Sequence, residues 1–147
     1  MRHKTKIKMT ESALISKVWN FANVLRDDGV GYGDYLEQIT YLLFLKMADE
    51  MTKPPYSKNL QFPRIKDTEG NEIADGDFCD WETLSKKRGA ELEAYYSQML
   101  RSLATERGIL GQIFTKSQNK IQDPAKLLRV IDMIGKEQWN MVGADIK

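Results

Sequence analysis

Residues 34–51, DYLEQITYLLFLKMADEM, constrain the fold more than any other stretch of the chain. Leu36, Ile39, Leu43 and Met47 recur at helical spacing. Tyr35, Leu42, Phe44 and Leu45 extend the apolar surface nearly all the way round. Such a helix must be covered on most sides, which places it at the centre of a bundle with Leu43 in its most apolar part. A buried strand over 41–47 is the competing assignment, but length and leucine content favour helix. Asp34, with Glu37 three residues on, supplies a variant capping box. The longest uninterrupted apolar run, residues 41–45, is far short of the ~20 residues a membrane helix needs.

The remaining helices are expected around this one. Residues 12–26 carry Leu14, Val18, Phe21 and Leu25 on one face and stop at Asp27-Asp28-Gly29. Gly29, Gly31 and Gly33 have the wrong spacing for a dinucleotide loop and no preceding strand, so they read as an interhelix turn. Pro54-Pro55 ends the long helix. Residues 53–80 lack helical periodicity and are punctuated by Pro, Gly, Asn and Asp. A small hairpin over 61–73 is expected around Glu69-Gly70-Asn71. A short helix should follow Asp80, with Trp81 and Leu84 turned inward. Another should span 90–105, with Leu92, Tyr96, Met99 and Leu103 on one face. Residues 108–114 suggest a further short helix. Asp123-Pro124 is a strong start signal for the last one, whose stripe is Leu127, Leu128, Ile131 and Ile134 and which Gly135 closes. The fold class is therefore all-α: a bundle of four to five main helices with one irregular, acidic loop excursion. The expected organisation is a basic arm over 1–10 and a helical domain over 11–147. No alternation of strands and helices is present to build a nucleotide-binding α/β domain.

Composition removes much chemistry. One histidine, His3, and one cysteine, Cys79, cannot assemble a His/Cys zinc site within the chain. A His-assisted Ser or Cys nucleophile would have to use His3. A single cysteine suits a reducing cytoplasm. The segment from Asp75 resembles a calcium loop only superficially: position 6 is Asp80 rather than Gly, and position 12 is Lys86 rather than Glu. We therefore assign no catalytic, cofactor-binding or metal-ligating residue.

Charge is the informative quantity. The formal net charge is +1, but residues 1–10 hold four bases and no acid, and residues 67–82 hold seven acids and no base. Over residues 116–129 the bases Lys116, Lys120, Lys126 and Arg129 face a single acid, Asp123. Interleaved with Gln118, Asn119 and Gln122, these bases can track phosphates. Lys116, Asn119, Lys120, Lys126 and Arg129 are the candidate DNA-contacting residues. The plainer reading of the segment is a polar connection between two packed helices.

Several blocks carry a resemblance. The stretch over 34–48, DYLEQITYLLFLKMA, resembles the N-terminal helical domain of the type I restriction-modification DNA methyltransferase (M) subunit. So does the stretch over 113–134, especially Asn119-Lys120-Ile121-Gln122-Asp123-Pro124, and so do Trp81–Gly89 and Trp139 in the same order. The resemblance covers about residues 12–147. It implies a parent that methylates adenine N6 in DNA using S-adenosylmethionine, inside a cytoplasmic complex. Its partners would be a DNA-specificity subunit, a second M subunit, a restriction subunit and double-stranded DNA; no membrane is involved. It also implies that a larger catalytic domain belongs after residue 147, carrying a Gly-rich cofactor turn and an Asn-Pro-Pro-aromatic motif. Lys53-Pro54-Pro55-Tyr56 looks like that motif, but a lysine ammonium has three donors and no acceptor, so it cannot receive hydrogen bonds from the amine being methylated. The expectation is a domain for subunit assembly and DNA enclosure, without a cofactor of its own. The alternatives are a stand-alone protein–protein adaptor and an autonomous helical DNA-binding domain.

Overall fold

A computed structural model describes Ser16, Trp19, Asn20, Asn23, residues 32–121 and residues 123–139. The helix expected over 12–26 and the basic arm over 1–10 lie almost wholly outside the described residues.

Five helices are described: α1 (Tyr32–Met51), α2 (Trp81–Leu84), α3 (Gly89–Ala104), α4 (Gly108–Ile113) and α5 (Pro124–Gly135). Local signals explain their limits. Asp80 caps α2 by accepting a hydrogen bond from Thr83 N at 2.9 Å, and Asp123 caps α5 by accepting one from Ala125 N at 2.9 Å. Each such cap contributes about 1 kcal/mol. Pro124 then sits in the first turn, where a missing N–H costs nothing. Helix α1 begins two residues before Asp34, so that carboxylate lies in the first turn rather than at the cap. It still faces the positive end of the helix dipole.

The centre of the bundle is α3, not α1. Helix α3 buries Leu92, Tyr95, Tyr96, Met99, Leu100 and Leu103 and packs against α2, α4 and α5. Helix α5 turns Leu127, Val130, Ile131 and Ile134 inward at i, i+3, i+4 and i+7. Helix α1 packs on α2 and α5 through Tyr35, Ile39, Leu42 and Leu45. The expected stripe is therefore rotated: Leu36 is 38% exposed, and Leu43 and Met47 are only half-buried. A helix apolar nearly all round has no polar face to fix its rotation, so neighbours decide it.

The excursion between α1 and α2 is a hairpin without regular strands. Single antiparallel bridges join Arg64 to Phe78 and Lys66 to Glu72, and the turn passes through Gly70 at φ +87°. The expected turn is present, but the pairing runs on to Cys79, whose N–H donates to Pro63 O at 2.8 Å. Lys66 fastens the hairpin to α3. Its N–H donates to Ser102 Oγ at 2.8 Å, and its ammonium meets Thr105 Oγ1 at 2.8 Å and Glu106 at 2.5 Å. The acidic run is partly neutralised, because Lys87 bridges Asp77 at 2.7 Å and Glu91 at 3.3 Å.

Candidate nucleic-acid interface

The polar segment between α4 and α5 hangs between two buried anchors, Phe114 and Ile121. Phe114 packs on the rings of Tyr41 and Phe44, with centroids 5.3 Å and 5.8 Å away. Between the anchors, Ser117 is buried and its hydroxyl donates to Leu100 O on α3 at 3.2 Å. Gln38 of α1, fully buried, reaches the same segment from the other side. Its Nε2 donates to Gln118 O at 2.9 Å, and its Oε1 accepts from Lys120 N at 3.2 Å. Asn119 Oδ1 accepts from Ile121 N at 2.8 Å. The backbone of this loop is thus fixed, while Lys116 and Gln118 are exposed and Asn119 and Lys120 are half-buried.

The five candidate residues lie on the loop and on the helix that follows it. Lys116 and Lys120 lie on the loop. Lys126, half-buried, and Arg129, exposed, lie on the first two turns of α5, away from its buried stripe. Asn119 differs from the others because its side-chain oxygen is already used to hold the loop. Lys46, Lys53, Lys66, Lys86 and Lys87 are all ion-paired. Lys116, Lys120, Lys126 and Arg129 make no ion pair among the described residues. Cations on a fixed backbone, with no ion pair among the described residues, can meet phosphates. Among the described residues no group of three His, Cys, Asp or Glu side chains could hold a metal, and no helix is long and apolar enough to cross a membrane.

Sequence reasoning missed Gln38, whose partners lie 80 and 82 residues away. It also missed a second surface. A groove of about 580 Å³ runs along the C-terminal half of α1 between the loop at residues 60–62 and α4. Phe44, Met51, Leu60, Phe62 and Ile109 line it, and among the described lining residues Arg107 alone is charged. Ile109 is 67% and Leu60 45% exposed. Contiguous apolar surface of this kind marks an interaction face. The signal available in sequence was the apolar pair Leu60 and Phe62 in the loop after α1, beside Ile109 and Leu110.

The sequence of the chain matches a known family. The family model described as the HsdM N-terminal domain matches residues 14–134. The chain belongs to the HsdM N-terminal domain family. Curated relatives agree. This HsdM domain is 26% identical over 132 residues to the type I restriction enzyme StySPI methylase subunit of Salmonella potsdam. It is 24% identical over 132 residues to the EcoKI methylase subunit of Escherichia coli. Each alignment takes in 89% of this chain and 22% of the relative, so the chain spans about a fifth of their length. The crystal structure of the EcoKI M protein superposes with a TM-score of 0.65 at 24% identity, over 86% of this chain and 23% of that one. That likeness shows the fold: the helical, all-α architecture expected from the sequence is the one found.

Proposed function

We propose that this chain is the N-terminal helical domain of a type I restriction-modification DNA adenine-N6 methyltransferase subunit, and that it serves assembly and DNA contact rather than chemistry. The family match over residues 14–134 carries this reading. In it, residues 11–147 form the helical domain behind a basic arm, and S-adenosylmethionine binds a following domain of the parent subunit. Two surfaces support the two roles. The cations of residues 116–129, which make no ion pair among the described residues, suit the backbone of double-stranded DNA, enclosed together with the specificity subunit. The groove beside Ile109 suits the other polypeptides of the complex, namely the specificity, second M and restriction subunits. The site of action is then the cytoplasm. The same groove is the observation that favours the adaptor reading, in which assembly is the only role.

Titration of duplex DNA with the 147-residue chain tests the DNA role. Up to four phosphate contacts give a log–log salt slope of about −3.6, with affinity at the weak end of ~10⁻⁴–10⁻⁶ M. No sequence preference is expected, because phosphates carry none. Lys116→Glu combined with Lys120→Glu should abolish binding and barely move the melting temperature, since neither lysine makes an ion pair among the described residues and charges that reach the surface contribute little to stability. Undiminished binding by the double variant would remove the segment from the DNA face. Calorimetry with S-adenosylmethionine should show no one-to-one binding to this chain; a micromolar isotherm would overturn the division of labour.

A further inference from the structure

Gln38 is a polar side chain with no access to water, on α1 between the buried Tyr35, Ile39 and Leu42. Both ends of its amide are used, and both on one loop. The carbonyl end must face Lys120 N–H and the amino end must face Gln118 C=O, so the orientation of the amide is unambiguous. The two bonds straddle Asn119 and fix the path of the loop against α1. Ser117 ties the same loop to α3, and Asn119 closes it on Ile121. Four consecutive residues are thus held from two helices and from within.

At the head of this loop, Lys116 has φ +57°. That is the left-handed region, where a β-carbon is crowded and glycine is at home. Lys116 is exposed and has no ion pair among the described residues. The fold therefore keeps a long cationic side chain at a backbone position that disfavours it. Strain of this kind persists only where the surroundings over-determine the conformation, and the Gln38 and Ser117 bonds supply that determination.

We propose that residues 116–120 form a preformed clamp for a DNA phosphate, with Gln38 as its positioning residue and Lys116 as the contact it presents. The proposal rests on the DNA reading above and adds a mechanism to it. A cation on a fixed backbone gives up less freedom on meeting a phosphate than one on a loose loop. Lys120, whose own N–H is the one Gln38 holds, lies four residues further along the same fixed loop.

The test uses the 147-residue chain and a 20-base-pair duplex of arbitrary sequence, with binding followed by fluorescence anisotropy across a salt series. Lys116→Gly should leave the melting temperature equal or higher, because glycine suits the left-handed position, and yet bind more weakly. Its salt slope should lose about one unit, the share of one phosphate. Gln38→Leu removes both loop bonds. It should melt several degrees lower and, while still folded by circular dichroism, bind about tenfold more weakly with a slope reduced by one to two units. A purely structural Gln38 would lower the melting temperature and leave the slope of the folded protein unchanged; that result overturns the positioning role. Parent affinity and slope in Lys116→Gly would overturn the clamp, and this variant decides the matter if Gln38→Leu does not fold. If the parent chain shows no salt-dependent binding, the DNA reading fails and the clamp falls with it. Loss of binding in Lys116→Glu with Lys120→Glu, beside an unchanged slope in Gln38→Leu, would sink the positioning role alone.

Discussion

Tyr96 sits at the middle of α3, wholly buried, and its hydroxyl has no hydrogen-bond partner among the described residues. A buried, unsatisfied hydroxyl costs about 1–3 kcal/mol in lost hydration. Tyr96→Phe keeps the ring and removes the cost. We expect the variant to be more stable by about 1 kcal/mol in urea denaturation, with an unchanged m-value; a loss of that size would mean that the hydroxyl has a partner. Cys79 is the converse case, a polarisable group that burial suits. Burial, and then the Asp80 carboxylate, push its thiol from an ordinary 9.0 up to about 12. A neutral thiol without access to solvent is a poor nucleophile. The folded chain should therefore resist a thiol-specific reagent such as dithionitrobenzoate at pH 8, and release one equivalent on unfolding. Neither property is visible in sequence, because both depend on what the fold brings around the residue.

At the scale of elements, legibility followed the range of the signal. Helix α5 was readable from Asp123 and Pro124 because a cap and a first-turn proline act within a few residues; Gly135, expected to close it, is instead its last helical residue, and Lys136 caps it in the right-handed region. The hairpin turn at Gly70 was readable for the same reason. The rotation of α1 was not, since apolar residues on most sides leave the choice of inward face to its packing partners α2 and α5. The buried Lys46 and Glu50 were also missed. They pair at 3.5 Å, and Glu50 accepts the Trp139 N–H at 2.9 and 3.0 Å from 89 residues away. Charges in a core are long-range arrangements, and local periodicity is silent about them. Of the candidate site, the cations were legible as a charge pattern, whereas the Gln38 bonds that shape their loop were not. The rotation of α1 has a measurable consequence. Leu42, fully buried, should cost about 2–5 kcal/mol on truncation to alanine. Leu36→Ala should stay within about 0.5 kcal/mol. Comparable losses from the two would place Leu36 in the core and restore the stripe read from sequence.

For the molecule as a whole, its buried titratable groups act together on stability at high pH. Tyr41, Tyr95 and Tyr96 hold their protons above the ordinary 10.0, each chiefly because burial disfavours the phenolate. Cys79 does the same from 9.0. Lys87 is shifted upward by its hydrogen bond to Asp77 and so also binds its proton more tightly when folded. In every case the folded state keeps a proton that the unfolded state gives up. The unfolded chain therefore binds fewer protons as pH rises through 9 and 10, and stability must fall there. Each fully buried group contributes about 1.4 kcal/mol per pH unit while only its unfolded form is ionised. The melting temperature should be nearly constant from pH 7 to 8.5 and then drop steeply toward pH 11. Cys79 leads, because its ordinary value is the lowest of the set. Cys79→Ala should melt lower than the parent at neutral pH, since it leaves a small cavity, but its decline should begin about one unit later, when the tyrosines start to ionise. A parent curve flat to pH 11 would show that these groups reach water in the folded chain. An onset unmoved in Cys79→Ala would show that the tyrosines alone set the alkaline limit.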